Sequence, residues 1–214
     1  MVTDPTAIEL GTWLNSLRRH DPFLRQFGAA IHRYEMNPCI QSDELELAEA
    51  VLGTRIPEDY RQFLLTCGNG GAGPGYGILS LAASIREFGN DPPSSAGIVF
   101  EPTLSAELKQ VNRAYPDNGI LPIANVGCGH MWVLITSGPE RGSIWGYEAG
   151  GDYEPESASH PDYSLAVTVE DRLRANDRLL DTLLADPATR LTFWKWYQAW
   201  VHRTLLQEPP PRTR

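Results

Sequence analysis

Along the first third of the chain, apolar residues recur at intervals of three and four, the spacing of helices with one apolar face. Asp4 and the proline after it precede the first such run, which predicts a helix over residues 6–19 with Asp4 as its N-cap. A second Asp-Pro pair begins at Asp21 and predicts another helix, with Phe27 among its inward positions and its end near residue 37.

The same periodicity predicts two further helices. One begins at Ser42 or Asp43 and ends at Gly53, because glycine readily adopts the left-handed conformation that closes many helices. The other begins with Pro57, in the proline-acidic pattern of a helix first turn. Its inward positions are Tyr60, Phe63, Leu64 and Cys67.

Six glycines between residues 68 and 77 end the helical pattern and predict a tight turn. Short runs rich in β-branched and aromatic residues follow, and they predict strands over residues 76–81, 120–126, 131–136 and 143–147. Turn-forming residues between the last two runs predict an antiparallel hairpin.

Three more helices are predicted, over residues 103–110, 169–184 and 187–206, before a disordered tail. Helices first, strands in the middle and helices last is the order of an α+β protein rather than of alternating strand and helix units. We therefore expect an α+β fold with a small, largely antiparallel sheet of four to six strands flanked by helices.

The net charge of the chain favours some classes of binding partner over others. The 214 residues include 18 lysines and arginines against 27 aspartates and glutamates, a net charge of −9. This balance argues against a nucleic-acid ligand, because binding phosphates requires cationic side chains, and it favours a basic partner. Residues 142–171 concentrate the effect, with seven carboxylates and no lysine or arginine.

Targeting signals and cysteine usage suggest a reducing compartment. The N-terminus lacks the basic start and continuous apolar run of a signal peptide, and no stretch reaches the ~18 apolar residues of a membrane span. The three cysteines, Cys39, Cys67 and Cys128, match neither a disulfide framework nor a zinc motif. We expect a cytoplasmic protein.

Sequence motifs for catalysis, metal binding or nucleotide binding are weak or absent. Residues 68–73 match GxGxxG, but a predicted helix precedes them and a predicted strand follows, the reverse of a dinucleotide-binding motif. The scattered histidines fit no zinc motif, and no serine lies in GxSxG. We expect no catalytic residue, cofactor or metal. A small-ligand site or enzyme at the glycine-rich turn with Cys128 and the nearby His130 is the alternative.

The C-terminal aromatic residues predict one buried helix face. That face consists of Phe193, Trp196, Tyr197, Trp200 and Val201. Trp194 falls outside it, and we expect this side chain to be exposed for contact.

Residues 56–65, Ile-Pro-Glu-Asp-Tyr-Arg-Gln-Phe-Leu-Leu, run into Gly-Asn-Gly-Gly at 68–71 and resemble the signature of the SMI1/KNR4 family, also called the SUKH superfamily. The residues that carry this resemblance are Pro57, Tyr60, Phe63, Leu64, Gly68, Asn69, Gly70, Gly71, Gly73, Gly75, Trp132, Trp145, Trp196 and Trp200. The resemblance implies a family domain over residues 42–206, an added helical segment over 1–41 packed on it, and a disordered tail over 207–214.

Bacterial members of the family are immunity proteins that bind a toxin domain, often a nuclease, without catalysis, and fungal members are regulatory scaffolds. The resemblance thus implies a non-catalytic protein that neutralises a cognate toxin by contact or, alternatively, a regulatory interaction module. Nuclease active faces are commonly cationic, so we expect the acidic loop to make the contact. The expected contact residues are Tyr147, Glu148, Asp152, Tyr153, Glu154, Glu156, Asp162 and Trp194.

Overall fold

The computed structural model describes residues 5–87, 119–127, 129–138, 140–148, 156–157 and 190–211. In that part of the chain, helices surround a small antiparallel sheet, which confirms the predicted α+β fold. The elements are α1 (Ala7–His20), α2 (Ala29–His32), α3 (Ser42–Leu52), α4 (Glu58–Thr66), α5 (Leu81–Glu87), β1 (Ile120–Gly127), β2 (His130–Ile135), β3 (Ile144–Glu148), β4 (Glu156–Ser157) and α6 (Phe193–Leu206).

The four strands lie in the order β1-β2-β3-β4, each antiparallel to its neighbour. The hairpin predicted between β2 and β3 is confirmed, with Val133 opposite Trp145. The register of β1 against β2 shifts just after Pro122, a residue that lacks the amide hydrogen needed for a regular ladder. Three of the four strands thus form from sequence runs predicted as strands, and β4, a Glu-Ser pair, was not predicted.

The strand predicted over residues 76–81 is wrong. Only Ile78 forms bridges, one to Gly71 and one to Ala124 of β1, and α5 already begins at Leu81. Left-handed backbone at Gly77, with φ of 101°, prevents a regular strand there. The segment therefore lies along the edge of β1 through single hydrogen bonds.

The helix predicted after Asp21 is also wrong, since only the four residues of α2 are helical. The carboxylate of Asp21 accepts the amides of Arg25 and Gln26, both at 2.8 Å, and holds them in a turn. Further on, Arg33 and Tyr34 have φ of 50° and 56° and end α2. Apolar spacing predicted a helix here, but local side-chain hydrogen bonds stabilise a loop instead.

The helix predicted over residues 187–206 begins later than predicted, at Phe193, because the carbonyl of Leu191 accepts the amide of Ile144 in β3 and Thr192 has extended backbone. The prediction that Asp4 is the N-cap of α1 is wrong: the helix begins at Ala7, and Thr6 caps it through a capping box with Glu9. Gly53 ends α3 in the left-handed conformation, as predicted. The helices predicted over 103–110 and 169–184 lie outside the described residues. Among the described helices, none combines the length and apolar character needed to cross a membrane.

One apolar core joins the N-terminal segment to the other helices. It contains Leu10, Leu14 and Leu17 of α1 together with Phe63 of α4, whose ring centroid is 4.7 Å from that of Phe193. The face of α6 that was predicted to be buried is buried, apart from Trp200, which is half-buried.

The prediction that Trp194 is exposed is wrong. The side chain is 4% exposed, and its ring centroid is 5.7 Å from that of Phe63. Because α6 packs on both α1 and α4, it buries side chains on more than one face.

Candidate functional site

The turn that follows α4 holds three parts of the chain together through Asn69. Its side-chain carbonyl accepts the amide of Leu81 at the start of α5 at 2.8 Å. The backbone amide of Asn69 donates to the carbonyl of Pro38 at 3.1 Å, and its backbone carbonyl accepts a hydrogen bond from the side-chain amide of Asn37 at 3.0 Å. The asparagine of the signature therefore has a structural role, which is to connect α4, α5 and the segment before α3.

The glycines of this turn are required by close backbone packing. At Gly71, with φ of 123°, a Cβ atom would lie 2.5 Å from the carbonyl oxygen of Glu35. At Gly70, with φ of 83°, it would lie 2.7 Å from that of Ile78. No helix opens at the glycines, because α5 begins only at Leu81. The interpretation of residues 68–73 as a structural turn is confirmed.

The other signature residues are mainly part of the core. The buried ones are Pro57, Tyr60, Phe63, Leu64, Gly68, Gly70, Gly73, Trp145 and Trp196. Gly71, Gly75, Trp132 and Trp200 are half-buried. The signature thus reports how the domain packs, and it leaves open which surface makes contact.

An exposed apolar surface lies beside the turn. Phe23, Phe27, Ile31 and Tyr76, which we call the aromatic patch, are 58%, 62%, 65% and 42% exposed. The ring centroids of Phe27 and Tyr76 are 5.1 Å apart, so the patch joins residues before α2 to the glycine-rich turn. Phe27 and Tyr76 thus form an exposed aromatic pair, and exposed aromatic side chains are typical of protein-binding surfaces.

The loop that carries the patch is seated directly on the turn. Gly28, with φ of 76°, lies so close to Gly75 that an added Cβ atom would overlap the Gly75 carbonyl group. On the other side, Gly127 at the end of β1 faces the Tyr76 hydroxyl, which would lie 3.2 Å from a Cβ atom there. Close backbone packing therefore holds the patch in place.

Two arginines and a buried carboxylate lie on or beside the loop that carries the patch. The guanidinium of Arg25 lies 5.6 Å from the centre of the Phe23 ring, and Arg18 donates to the carbonyl of Tyr34 at 2.7 Å. Asp21 is buried; burial disfavours its ionised form, but hydrogen bonds from the amides of Arg25 and Gln26 and from the Tyr34 hydroxyl outweigh that effect and lower its pKa. The Asp21 carboxylate therefore stabilises the loop from inside.

His32 anchors the same loop to α6. The Nδ1 atom of its ring accepts the amide of Tyr34 at 3.0 Å, and the ring lies edge-on to Trp200 at 6.0 Å between centroids. Burial lowers the pKa of His32 to about 4. The side chain is therefore neutral near pH 7, where its unprotonated nitrogen is needed as the acceptor.

Most of the predicted contact residues lie outside the described chain. Tyr147 and Glu148 end β3, and Glu156 in β4 pairs with Gly146, so the backbone brings these three positions to the same edge of the sheet. Asp152, Tyr153, Glu154 and Asp162 lie outside the described residues. Trp194 is removed from the set by its burial.

Sequence reasoning missed the aromatic patch. Phe27 was assigned to the inward face of a helix that does not form, and Tyr76 to a strand that is only a single bridge. The available signal was the Asp-Pro pair at 21–22 followed by Gly28, since these residue types are typical of turns and loops.

A shallow cleft of about 580 Å³ lies between α3 and α4, lined in part by Glu46, Glu49 and Arg61. An oxygen of Glu49 accepts the amide of Ile56 at 2.9 Å and lies 3.3 Å from Nε of Arg61. These charges stabilise each other. Within the described ranges, no group of three or more His, Cys, Asp or Glu side chains could hold a metal ion.

The described residues define an α+β protein whose antiparallel sheet is flanked by helices and whose signature turn is a packing element. The model of the SMI1 / KNR4 family (SUKH-1) matches residues 39–164, more than half of the chain. The chain therefore belongs to the SMI1/KNR4 family, which includes immunity proteins. No curated protein and no solved structure matches the chain significantly.

Proposed function

We propose that this protein is a non-catalytic immunity protein that neutralises a cognate bacterial toxin domain by direct contact. Membership of a family that includes immunity proteins supports the class. The observation that carries the proposal is the aromatic patch, four large apolar side chains that are each more than 40% exposed, on the segment from Phe23 to Ile31 and on the glycine-rich turn against which it packs. A few aromatic side chains of this kind commonly dominate the affinity of an interface.

The contact has two parts in this proposal. The patch supplies apolar anchors, and the acidic residues between 148 and 162 supply complementary charge for a basic toxin face, such as that of a nuclease. With a net charge of −9, long-range attraction would accelerate the encounter at low salt. Blocking the face that binds the toxin's substrate requires no chemistry from the inhibitor.

Co-expression with each toxin domain encoded beside the gene tests the proposal, with growth rescue and co-purification as readouts. We expect the wild type to rescue growth against one of them. The triple variant Asp152→Lys, Glu154→Lys, Glu156→Lys should weaken rescue, as should Phe27→Ala. Ile8→Ala, which removes an apolar side chain 82% exposed on α1, is the matched control and should rescue fully.

Failure to rescue against every neighbouring toxin would contradict immunity and favour the regulatory interaction module. If rescue occurs and the triple variant also rescues fully, the acidic segment is not part of the contact.

A further inference from the structure

Two cysteines lie on backbone segments that hydrogen-bond to each other where the N-terminal segment joins the rest of the protein. Cys39 precedes α3 and is exposed, and Cys67 is the C-cap of α4 and is half-buried. They are 28 residues apart in the sequence, but the backbone pairs around them. Ile40 donates to the carbonyl of Leu64 at 3.0 Å, and Asn69 donates to that of Pro38 at 3.1 Å. Hydrogen bonds on both sides therefore hold the two residues close.

The two thiols differ in their exposure to solvent. Burial raises the pKa of Cys67; the hydrogen bond with the Thr66 hydroxyl lowers it in part, and the nearby Cys39 raises it. The Cys67 sulfur lies 3.6 Å from the Thr66 hydroxyl. The exposed Cys39 is thus the accessible thiol, with Cys67 placed behind it as a resolving partner.

From this pairing we propose that Cys39 and Cys67 form a redox-responsive thiol pair that a low-molecular-weight disulfide, such as oxidised glutathione, converts into an intramolecular disulfide. The Cys39 thiolate attacks one sulfur of oxidised glutathione, forming a mixed disulfide and releasing one glutathione thiolate. The Cys67 thiolate then attacks the Cys39 sulfur and releases the second. The two protein thiols lose two electrons and two protons, and the glutathione disulfide is reduced to two thiols.

The bond would fasten the end of the N-terminal segment to the signature turn. Residues 37 and 38 hydrogen-bond to Asn69 and Gly70, and the loop that carries the aromatic patch precedes them directly. Oxidation would therefore restrict separation of the N-terminal segment, which carries most of the aromatic patch, from the signature turn. The proposal does not depend on which partner the patch binds.

The test uses the full chain carrying Cys128→Ser, which leaves these two thiols, incubated with oxidised glutathione under native conditions. We expect titratable thiols to fall from two to none, the intact mass to fall by two hydrogen atoms, and peptide mapping to find Cys39 joined to Cys67. The Tm should rise by ~5 °C or more, because the bond restricts the unfolded chain. Reduction should reverse every change.

Single variants in the same background separate pairing from simple modification. Cys67→Ser should stop at a stable glutathione adduct on Cys39, with no rise in Tm. A stable adduct on Cys39 in the two-thiol protein, or a disulfide that forms only in denaturant, would overturn the proposal.

Discussion

The glycine-rich turn and the aromatic patch touch each other, yet they use their residues in opposite ways. In the turn, the side chain and backbone of Asn69 make three hydrogen bonds, and the glycines lie against neighbouring backbone. In the patch, Phe27 and Ile31 are more than 60% exposed. The family match begins at residue 39, after Phe23, Phe27 and Ile31. The residues that identify the family stabilise the fold, while three of the four patch residues lie outside the match.

Buried groups that stabilise the fold, as the turn does, should show the largest effects on stability, and the largest of all is expected at the ion pair of Glu140 and Arg190, which lies outside the turn. The Glu140 carboxylate is fully buried and lies 3.2 Å from Nε of Arg190. Arg190→Ala leaves that carboxylate buried without its counter-charge, so the unfolding free energy should fall by about 3–5 kcal/mol. Chemical denaturation measures it. Arg190→Lys retains the charge and should lose less; equal losses would contradict the electrostatic explanation.

The next effect concerns the loop beneath the patch. His32 has a pKa of about 4 when folded and an ordinary value near 6.5 when unfolded, so the unfolded chain binds the proton more tightly. This contribution to stability is complete above pH 6.5 and is lost as the pH falls toward 4. We expect a loss of about 2 kcal/mol between pH 7 and pH 5.

Denaturation of His32→Gln over the same pH range isolates this term. The variant should lack the loss, because glutamine does not titrate and its side-chain oxygen can still accept a hydrogen bond. Parallel pH curves for the two proteins would show that His32 does not carry the dependence.

A smaller effect is expected at the turn itself. Asn69→Ala removes the acceptor for the Leu81 amide and should lower the unfolding free energy by about 1–2 kcal/mol. Asn69→Asp retains an acceptor oxygen in that place and should lose less. If alanine and aspartate behave alike, the hydrogen bond to α5 is not what the signature asparagine supplies.

The sequence predicted the packed side better than the exposed one. The inward residues of α4, the end of α3 at Gly53 and the β2–β3 hairpin could all be predicted, because each follows from local spacing or turn chemistry. The loop after Asp21 could not, since Phe23, Phe27 and Ile31 are exposed although they have helical spacing, and a buried carboxylate organises the backbone. The prediction for Trp194 was wrong for a related reason: its burial depends on contacts with α4, which helix periodicity does not reveal.

The smallest expected change in stability and the largest in function fall on the same two residues. Phe27→Ala and Tyr76→Ala remove exposed side chains, so each should change the unfolding free energy by less than ~1 kcal/mol. The central claim is that this surface, fixed on the signature turn, binds a toxin domain.

Titration calorimetry with a toxin domain that the wild type neutralises tests that claim most directly. The double variant Phe27→Ala, Tyr76→Ala should bind at least ~30-fold more weakly, while its unfolding curve and the affinity of Ile8→Ala stay close to wild type. An unchanged affinity in the double variant would contradict the account.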